Sequence, residues 1–390
     1  MASALRALAF KLLKRGGSVR YRRMPIEIES PEQLGYSAIT NNLSESMVPD
    51  QRLADLGLDV DLDSLLLCYG DHLGDPLLRE VIAAQDNGLA AADVTVTPGA
   101  AAALFCVATA MLSPGDHVVV VRTNFATNLE TPRAINADVD MVDLRYEDGW
   151  ALDIDELQSR VQPGRTKMIS ITYPHNPTGA MVEAADLRRL VDLAEGSGAV
   201  LLVDETYRDL THGEQLPMAA TLSSRAISIA SLSKAYGLPG LRIGWAVTTD
   251  PALRETILAA KEQMIICGAT IDEHIAGRVL ADRDRILMPI LREVRERVAV
   301  VQAWLDAQSI FEWVPPRGGA FGFVRFHPDV AVNTSAFYRH LLADHGTYVG
   351  AGHWFEVSDR YFRLGYAWPA PAELRDGLAG LTAAAKTAQP

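Results

Sequence analysis

Ser231-Leu232-Ser233-Lys234-Ala235-Tyr236-Gly237-Leu238-Pro239-Gly240-Leu241-Arg242-Ile243-Gly244 directly follows the apolar run Ala226-Ile227-Ser228-Ile229-Ala230. The order places Lys234 on a loop just after a buried strand. A lysine amine there can form an imine with an aldehyde. Ser231 and Arg242 can hold a phosphate through hydrogen bonds and charge. The glycines let the backbone turn tightly around a ligand. A bare Ser-x-Ser-Lys would read as a surface lysine, but glycine and arginine at these offsets argue against that.

Similar apolar runs precede this one: Val118–Val121, Met168–Thr172 and Val200–Val203. They are short, β-branched and apolar on both faces, as in strands of a parallel sheet covered on both sides. Helical stretches such as Ala184–Ser197 separate them, which predicts a doubly covered α/β domain. Beyond it, residues 272–307 read as one or two long amphipathic helices. Short strands are expected around Ala320–Phe326 and Tyr361–Leu364, and helices near 334–344 and 371–386. This is a smaller α+β domain. Without a flexible linker, the two should pack closely around a cleft.

Composition narrows the function classes. The chain has 390 residues, 48% of them hydrophobic, enough for a large core. A net charge of −13 speaks against nucleic acid or an anionic membrane as the main partner. Cys68, Cys106 and Cys267 are far apart with no C-x-x-C pair. That gives no support to a zinc or dithiol site and fits a reducing cytoplasm. The histidines form no H-E-x-x-H, so no metal is expected, and no apolar run reaches membrane-spanning length. Residues 1–23 carry seven basic side chains and no acid. They read as a mobile basic extension, or as an upstream start with the functional chain beginning near Met24.

The Lys234 segment resembles the lysine signature of the class I/II aminotransferases, enzymes of pyridoxal-phosphate (PLP) fold type I. The resemblance runs from about residue 40 to 385 with its motifs in order. It implies an aspartate-aminotransferase-like α/β fold: an arm over residues 1–40, a large PLP-binding domain over 41–285 with a mixed, mostly parallel sheet, and a small domain over 286–390. Residues 41–60 are allowed to pack with the small domain. It further implies that Lys234 binds PLP as a Schiff base, that Asp204 pairs with the pyridine nitrogen, and that Tyr207 and Asn176 bond the phenolic oxygen. Gly99, Ala100 and Ala101 would form a phosphate cup at a helix N-terminus. The family often has a hydroxyl at position 100 or 101, so this cup would rest on backbone groups, with Ser231 and Arg242 beside it. Phe125 matches the ring-stacking aromatic, although a plain core phenylalanine is the alternative. Tyr69 matches the tyrosine that reaches the phosphate across a homodimer interface. Arg363 matches the arginine that grips the substrate α-carboxylate.

The same resemblance implies an enzyme acting on the α-amino group of an amino acid, first of all a transaminase. Two features point to the family's capreomycidine-synthase-like branch, whose members eliminate water from a hydroxylated arginine and close a guanidine ring in secondary metabolism. Ser46 stands in place of a usual glycine, with Glu45 adding a carboxylate near the substrate side chain. In addition, His72-Leu73-Gly74-Asp75 and Pro174-His175-Asn176-Pro177 accompany the lysine segment. A guanidinium would need acids, and Glu45, Asp71 and Asp209 are candidates, each with the plain reading of a solvated surface carboxylate. A non-catalytic PLP-fold regulator is the reading from another class. The presence of Lys234, and a stretch over residues 1–40 too short for a winged helix, argue against it.

Overall fold

The computed structural model describes residues 19–122 and 125–389. Most of the basic stretch, residues 1–18, and also Thr123 and Asn124 lie outside the described residues.

Chain order begins with β1 (Asn41–Leu43), which belongs to the smaller of two sheets. The larger sheet then forms from β2 (Val94–Thr97), β3 (His117–Arg122), β4 (Asp138–Asp143), β5 (Thr166–Thr172), β6 (Val200–Asp204), β7 (Ala226–Ser231) and β8 (Gly244–Val247). Its spatial order is β2-β8-β7-β6-β5-β3-β4, and only β8 runs against the others. The runs expected as strands are β3, β5, β6 and β7. Their β-branched residues are buried because helices lie on both faces. One face packs on Ala100–Met111 and Pro251–Ile265, the other on Ile154–Arg160 and Ala184–Ser197. The edge strand β4 alternates acids with apolar residues, and its acidic end residues are exposed. Charge on an open edge discourages pairing with other chains.

The strand order fixes where a site can form. From β3 the chain goes to β4 on one side and returns to β5 on the other. Such a reversal opens a crevice outside the carboxyl ends of the strands.

The smaller sheet has the order β1-β11-β12-β10-β9, with β9 (Phe311–Trp313), β10 (Phe321–Phe326), β11 (Thr347–Ala351) and β12 (Tyr361–Gly365). Gly350 and Ala351 of β11 pair with Arg363 and Phe362 of β12. The long helical region resolves into Thr270–Ala281 and Arg283–Asp306. Helices Thr334–His345 and Pro371–Thr387 complete the unit. The first is capped by Asn333, whose side chain accepts from the Ala336 N–H at 3.0 Å. Such a cap is worth about 1 kcal/mol. No described helix is long and apolar enough to cross a membrane.

Candidate active site

A cavity of about 410 Å³ opens at the carboxyl ends of the large sheet and is closed by the small sheet. The strand ends deliver its groups. Phe125 follows β3, Asn176 follows β5, Asp204 ends β6, Ser231 ends β7 and Lys234 follows it. Because β8 is antiparallel, Arg242 reaches the same end just before its first residue. The expected residues Glu45, Ser46, Ala100, Ala101, Phe125, Asn176, Asp204, Tyr207, Ser231, Lys234, Arg242 and Arg363 all line this cavity. Phe125 does two things, since it also packs against the core under β3. Tyr69 lies elsewhere on this chain and is 82% exposed.

The Lys234 Nζ donates to Ser46 Oγ at 3.1 Å. Two further contacts fix this pairing. The Val48 N–H donates to the Lys234 carbonyl at 3.1 Å. A Cβ on Gly237 would sit 2.1 Å from the Pro49 carbonyl oxygen, so only glycine lets the loop come this close. On the other side, a Cβ on Gly365 would lie 2.1 Å from the Glu45 carbonyl oxygen. The stretch Ser44–Ser46 therefore rests directly on β12.

Asp204 is buried, and burial raises its pKa. Thr206 opposes this with two hydrogen bonds to Oδ1, from its hydroxyl at 2.6 Å and its N–H at 3.1 Å. Asn128 donates to Oδ2 at 3.3 Å. A ring N–H beside this carboxylate would hold it as the anion.

The helix Ala100–Met111 begins at Gly99 with no side-chain cap. Its first N–H groups and its dipole suit an anion. A Cβ on Gly99 would lie 2.6 Å from an Arg242 guanidinium nitrogen, and one on Gly244 would lie 2.4 Å from the Gly99 carbonyl carbon. Both glycines bring Arg242 against the helix start. Among the described residues, Arg242 donates only to the carbonyls of Pro239 and Pro98, at 2.8 and 3.4 Å. Its charge is left for a ligand. An uncapped helix start, an uncompensated guanidinium and nearby Ser231 fit a phosphate. With Lys234, the buried Asp204 and Phe125, this donor set fits PLP.

Arg363 is 4% exposed. It donates to Asn176 Oδ1 at 3.1 Å and to the Ser44 carbonyl at 2.7 Å, both neutral oxygens. Its Nε has no partner among the described residues, and burial lowers its pKa. Glu45 and Glu32 attract the guanidinium only at a distance; a buried cation with no ion pair among the described residues is costly, so the site suits a carboxylate ligand. Glu45 presents the opposite charge. Burial first, then repulsion from Glu32, raises its pKa. Asn42 and the Tyr36 hydroxyl donate to its Oε1 at 3.3 and 3.4 Å, and Tyr36 stacks on Trp368.

Two acids considered for a cationic substrate lie outside this arrangement. Asp209 is held by Arg283, by the Tyr236 hydroxyl at 2.8 Å and by Gln215. Asp71 pairs with Arg79 at 2.9 Å and accepts from the Leu73 N–H. Both charges are already compensated. The cavity instead draws on residues that sequence reasoning missed. Residues 24–38, two four-residue helices and a 3-10 turn, form a strap. From it, Ile26, Glu27, Pro31 and Glu32 line one wall. The only signal was a change of composition, from the basic residues 20–23 to Glu27, Glu29 and Glu32.

The comparisons with known proteins agree with this geometry. The family model for aminotransferase class I and II matches residues 40–381. The chain is 35% identical over 327 residues to capreomycidine synthase from Streptomyces vinaceus, covering 83% of this chain and 82% of that protein. It is 30% identical over 321 residues to the arginine–pyruvate transaminase AruH of Pseudomonas aeruginosa, covering 78% and 80%. Among solved structures, the PLP-dependent cyclase OrfR superposes with a TM-score of 0.84 at 28% identity, covering 95% of this chain and 99% of that one. A PLP-dependent aminotransferase from Streptococcus suis gives 0.86 at 26% identity, covering 93% and 98%.

Proposed function

We propose, from the premise that this chain belongs to the class I and II aminotransferases and works with PLP, that it acts on the α-amino group of an amino acid with a cationic side chain. The observation that carries this reading is the charge pattern of one cavity. Among the described residues, Arg363 offers a buried guanidinium in no salt bridge, and Glu45 and Glu32 offer two mutually repelling carboxylates in no salt bridge, with Lys234 and Arg363 attracting Glu45 only at longer range. The names of two relatives, an arginine transaminase and capreomycidine synthase, support the same substrate class.

In this reading Lys234 would hold the cofactor covalently, Asp204 would pair with its ring nitrogen, and Phe125 would stack on its ring. Asn176 and Tyr207 would bond its phenolic oxygen, and the helix start at Gly99–Ala101 with Ser231 and Arg242 would take its phosphate. When bound, the cofactor supplies an electron-accepting ring that stabilises negative charge on the substrate α-carbon. The protein does the rest. Arg363 fixes the α-carboxylate, which aims the α-hydrogen. Lys234, as a free amine, takes that proton and can return it at another atom. Ser46 accepts one N–H of this amine, so its lone pair points away from Ser46. The strap and the small sheet limit water access.

Amino transfer is the main outcome proposed. A second reading, loss of water and ring closure on a hydroxylated arginine, is favoured by the identity to capreomycidine synthase. One experiment separates the readings: the holoenzyme is mixed with single amino acids, with and without a keto acid, while visible absorbance and product masses are followed. Arginine-type substrates are expected to change the spectrum at concentrations where alanine does not. Keto-acid-dependent turnover supports transfer, and a product lighter by one water supports ring closure. Equal responses to arginine and alanine would remove the cationic substrate.

The proposal includes the division at residues 40 and 285, supported by separate sheets, with β1 in the smaller one. It also includes a homodimer. Leu66, Leu67, Tyr69 and Leu77 are largely exposed next to the half-exposed Met264, Ile266 and Ile271. Exposed apolar surface of this extent marks an association site, and Tyr69 is free to enter a second copy's cavity. A cytoplasmic location accords with three free thiols.

A further inference from the structure

The strap is tied to the small sheet through Glu29. Its Oε2 accepts from Trp354 Nε1 at 2.7 Å and faces His353 Nε2 at 2.8 Å. Its carbonyl accepts from the Tyr348 hydroxyl at 2.8 Å. His353 Nδ1 in turn lies 2.8 Å from Asp359 Oδ1. Both ring nitrogens therefore face carboxylate oxygens. An ionised carboxylate can only accept, and a neutral imidazole has a single N–H. The neutral ring satisfies one neighbour and sets a lone pair against the other. The imidazolium satisfies both.

We propose that His353, as an imidazolium bridging Asp359 and Glu29, is a positioning residue that latches the strap over the cavity and so sets the affinity for the substrate. Three observations support it. Strap residues Glu27 and Glu32 line the cavity wall near Glu45. Trp354, next to His353, lines the same cavity and binds the same Glu29 oxygen. Among the described residues, the charged groups facing the ring are also of one sign. Glu29 faces it from the strap and Asp359 from the turn before β12. Glu356, on the same turn, is taken by Arg133. The phenols of Tyr348 and Tyr338 are spent on the carbonyls of Glu29 and of Asp359 and Tyr361.

Burial opposes the charge on His353, but the hydrogen bonds to Glu29 and Asp359 outweigh it and raise the pKa above 6.5. A pKa raised on folding means that the latch is fully formed below about pH 6.5 and is lost as pH rises through the raised value. Ile26, packed in the aromatic cluster around Trp354, holds the strap by an apolar contact that does not titrate. Loss of the latch should therefore loosen the strap without releasing it.

This inference rests on the reading above that the cavity takes an amino acid, and the test separates the two. Hydrogen exchange of residues 25–38 is measured in holoenzyme without substrate at pH 6 and pH 9, corrected for intrinsic rates, for wild type, His353→Gln and His353→Arg. Wild type should be less protected at pH 9 than at pH 6, His353→Gln should show the weaker protection at both, and His353→Arg the stronger protection at both. The dissociation constant of L-arginine, followed by absorbance, should weaken about three- to ten-fold more in wild type than in His353→Arg over that range, as suits one partly exposed charged hydrogen bond. KM should follow it while kcat holds. Identical protection in wild type and His353→Gln at both pH values overturns the latch. Protection that follows His353 while affinity does not overturns its positioning role. If L-arginine does not bind, whichever of lysine, ornithine or alanine does bind replaces it, so that a wrong substrate class leaves the latch still judged.

Discussion

At the scale of single residues, Lys234 and Ser46 form a pair joined across the chain by one hydrogen bond. Lys234→Ala should abolish the visible absorbance that the protein shows with PLP, and a variant that keeps it would remove the assignment of this lysine. Arg363→Lys should raise KM about 10- to 100-fold, the equivalent of losing a charged hydrogen bond worth about 1.5–3 kcal/mol. Steady-state kinetics would show whether kcat changes less than KM, as expected for a residue that mainly binds. Glu205, beside Asp204 and fully buried, has its pKa raised from 4.5 to about 7, by burial first, while Arg208, the Ala219 N–H and Ser228 oppose it. A carboxylate that binds its proton more tightly when folded stabilises most at low pH. Wild-type stability should therefore fall between about pH 4.5 and 7 relative to Glu205→Gln, which a denaturant titration at several pH values can measure. Residues at strand ends, such as Lys234, Asp204 and Asn176, were legible because each sits in a short motif next to an apolar run. Asn128 and Thr206 were not, since they act by orienting Asp204 after folding. Asp71 and Asp209 misled for a related reason: a sequence displays the acid and hides its partner, here Arg79 and Arg283.

At the scale of elements, the cavity depends on the joint between β8 and the start of helix Ala100–Met111. Gly244 pairs with Thr97 across β2 and β8 and touches the Gly99 backbone. Gly244→Ala would force a methyl into that contact. Overpacking of this kind costs about 1–3 kcal/mol. A lower melting temperature and faster loss of PLP on dialysis are expected, while Gly240→Ala, which meets open space, should change neither. The parallel strands could be read from their two-sided burial. The antiparallel course of β8 could not, because direction depends on the path of the loop carrying Lys234 rather than on local composition. The edge strand β4 escaped for the opposite reason, its acids breaking the apolar run that marked the central strands.

At the scale of the whole molecule, Leu66, Leu67 and Tyr69 are the three most exposed of the large apolar side chains among the described residues. Replacing both leucines by Asp should give a monomer in sedimentation experiments. If Tyr69 serves a second copy's phosphate site, that monomer should also hold PLP more weakly. Full activity in a monomer would set the shared-site arrangement aside. The overall architecture was legible from alternation of strand and helix. The closure of the cavity was not, because it needs the strap, the small sheet and the large sheet together.

The stretch 41–51 has a further consequence. Its first residues form β1 in the small sheet, its middle rests on Gly365, and Val48 binds the Lys234 carbonyl in the large sheet. Leu43 is fully buried, and a Cβ on Gly377 of the last helix would lie 2.6 Å from its side chain. The stretch thus behaves as a lever with one end packed on the last helix and its tip, Ser46, at the Lys234 amine. Whoever wishes to retune this enzyme has a handle outside the cavity. Changes along the Leu43–Gly377 seam would tilt the lever and re-aim the amine while every residue inside the cavity stayed the same.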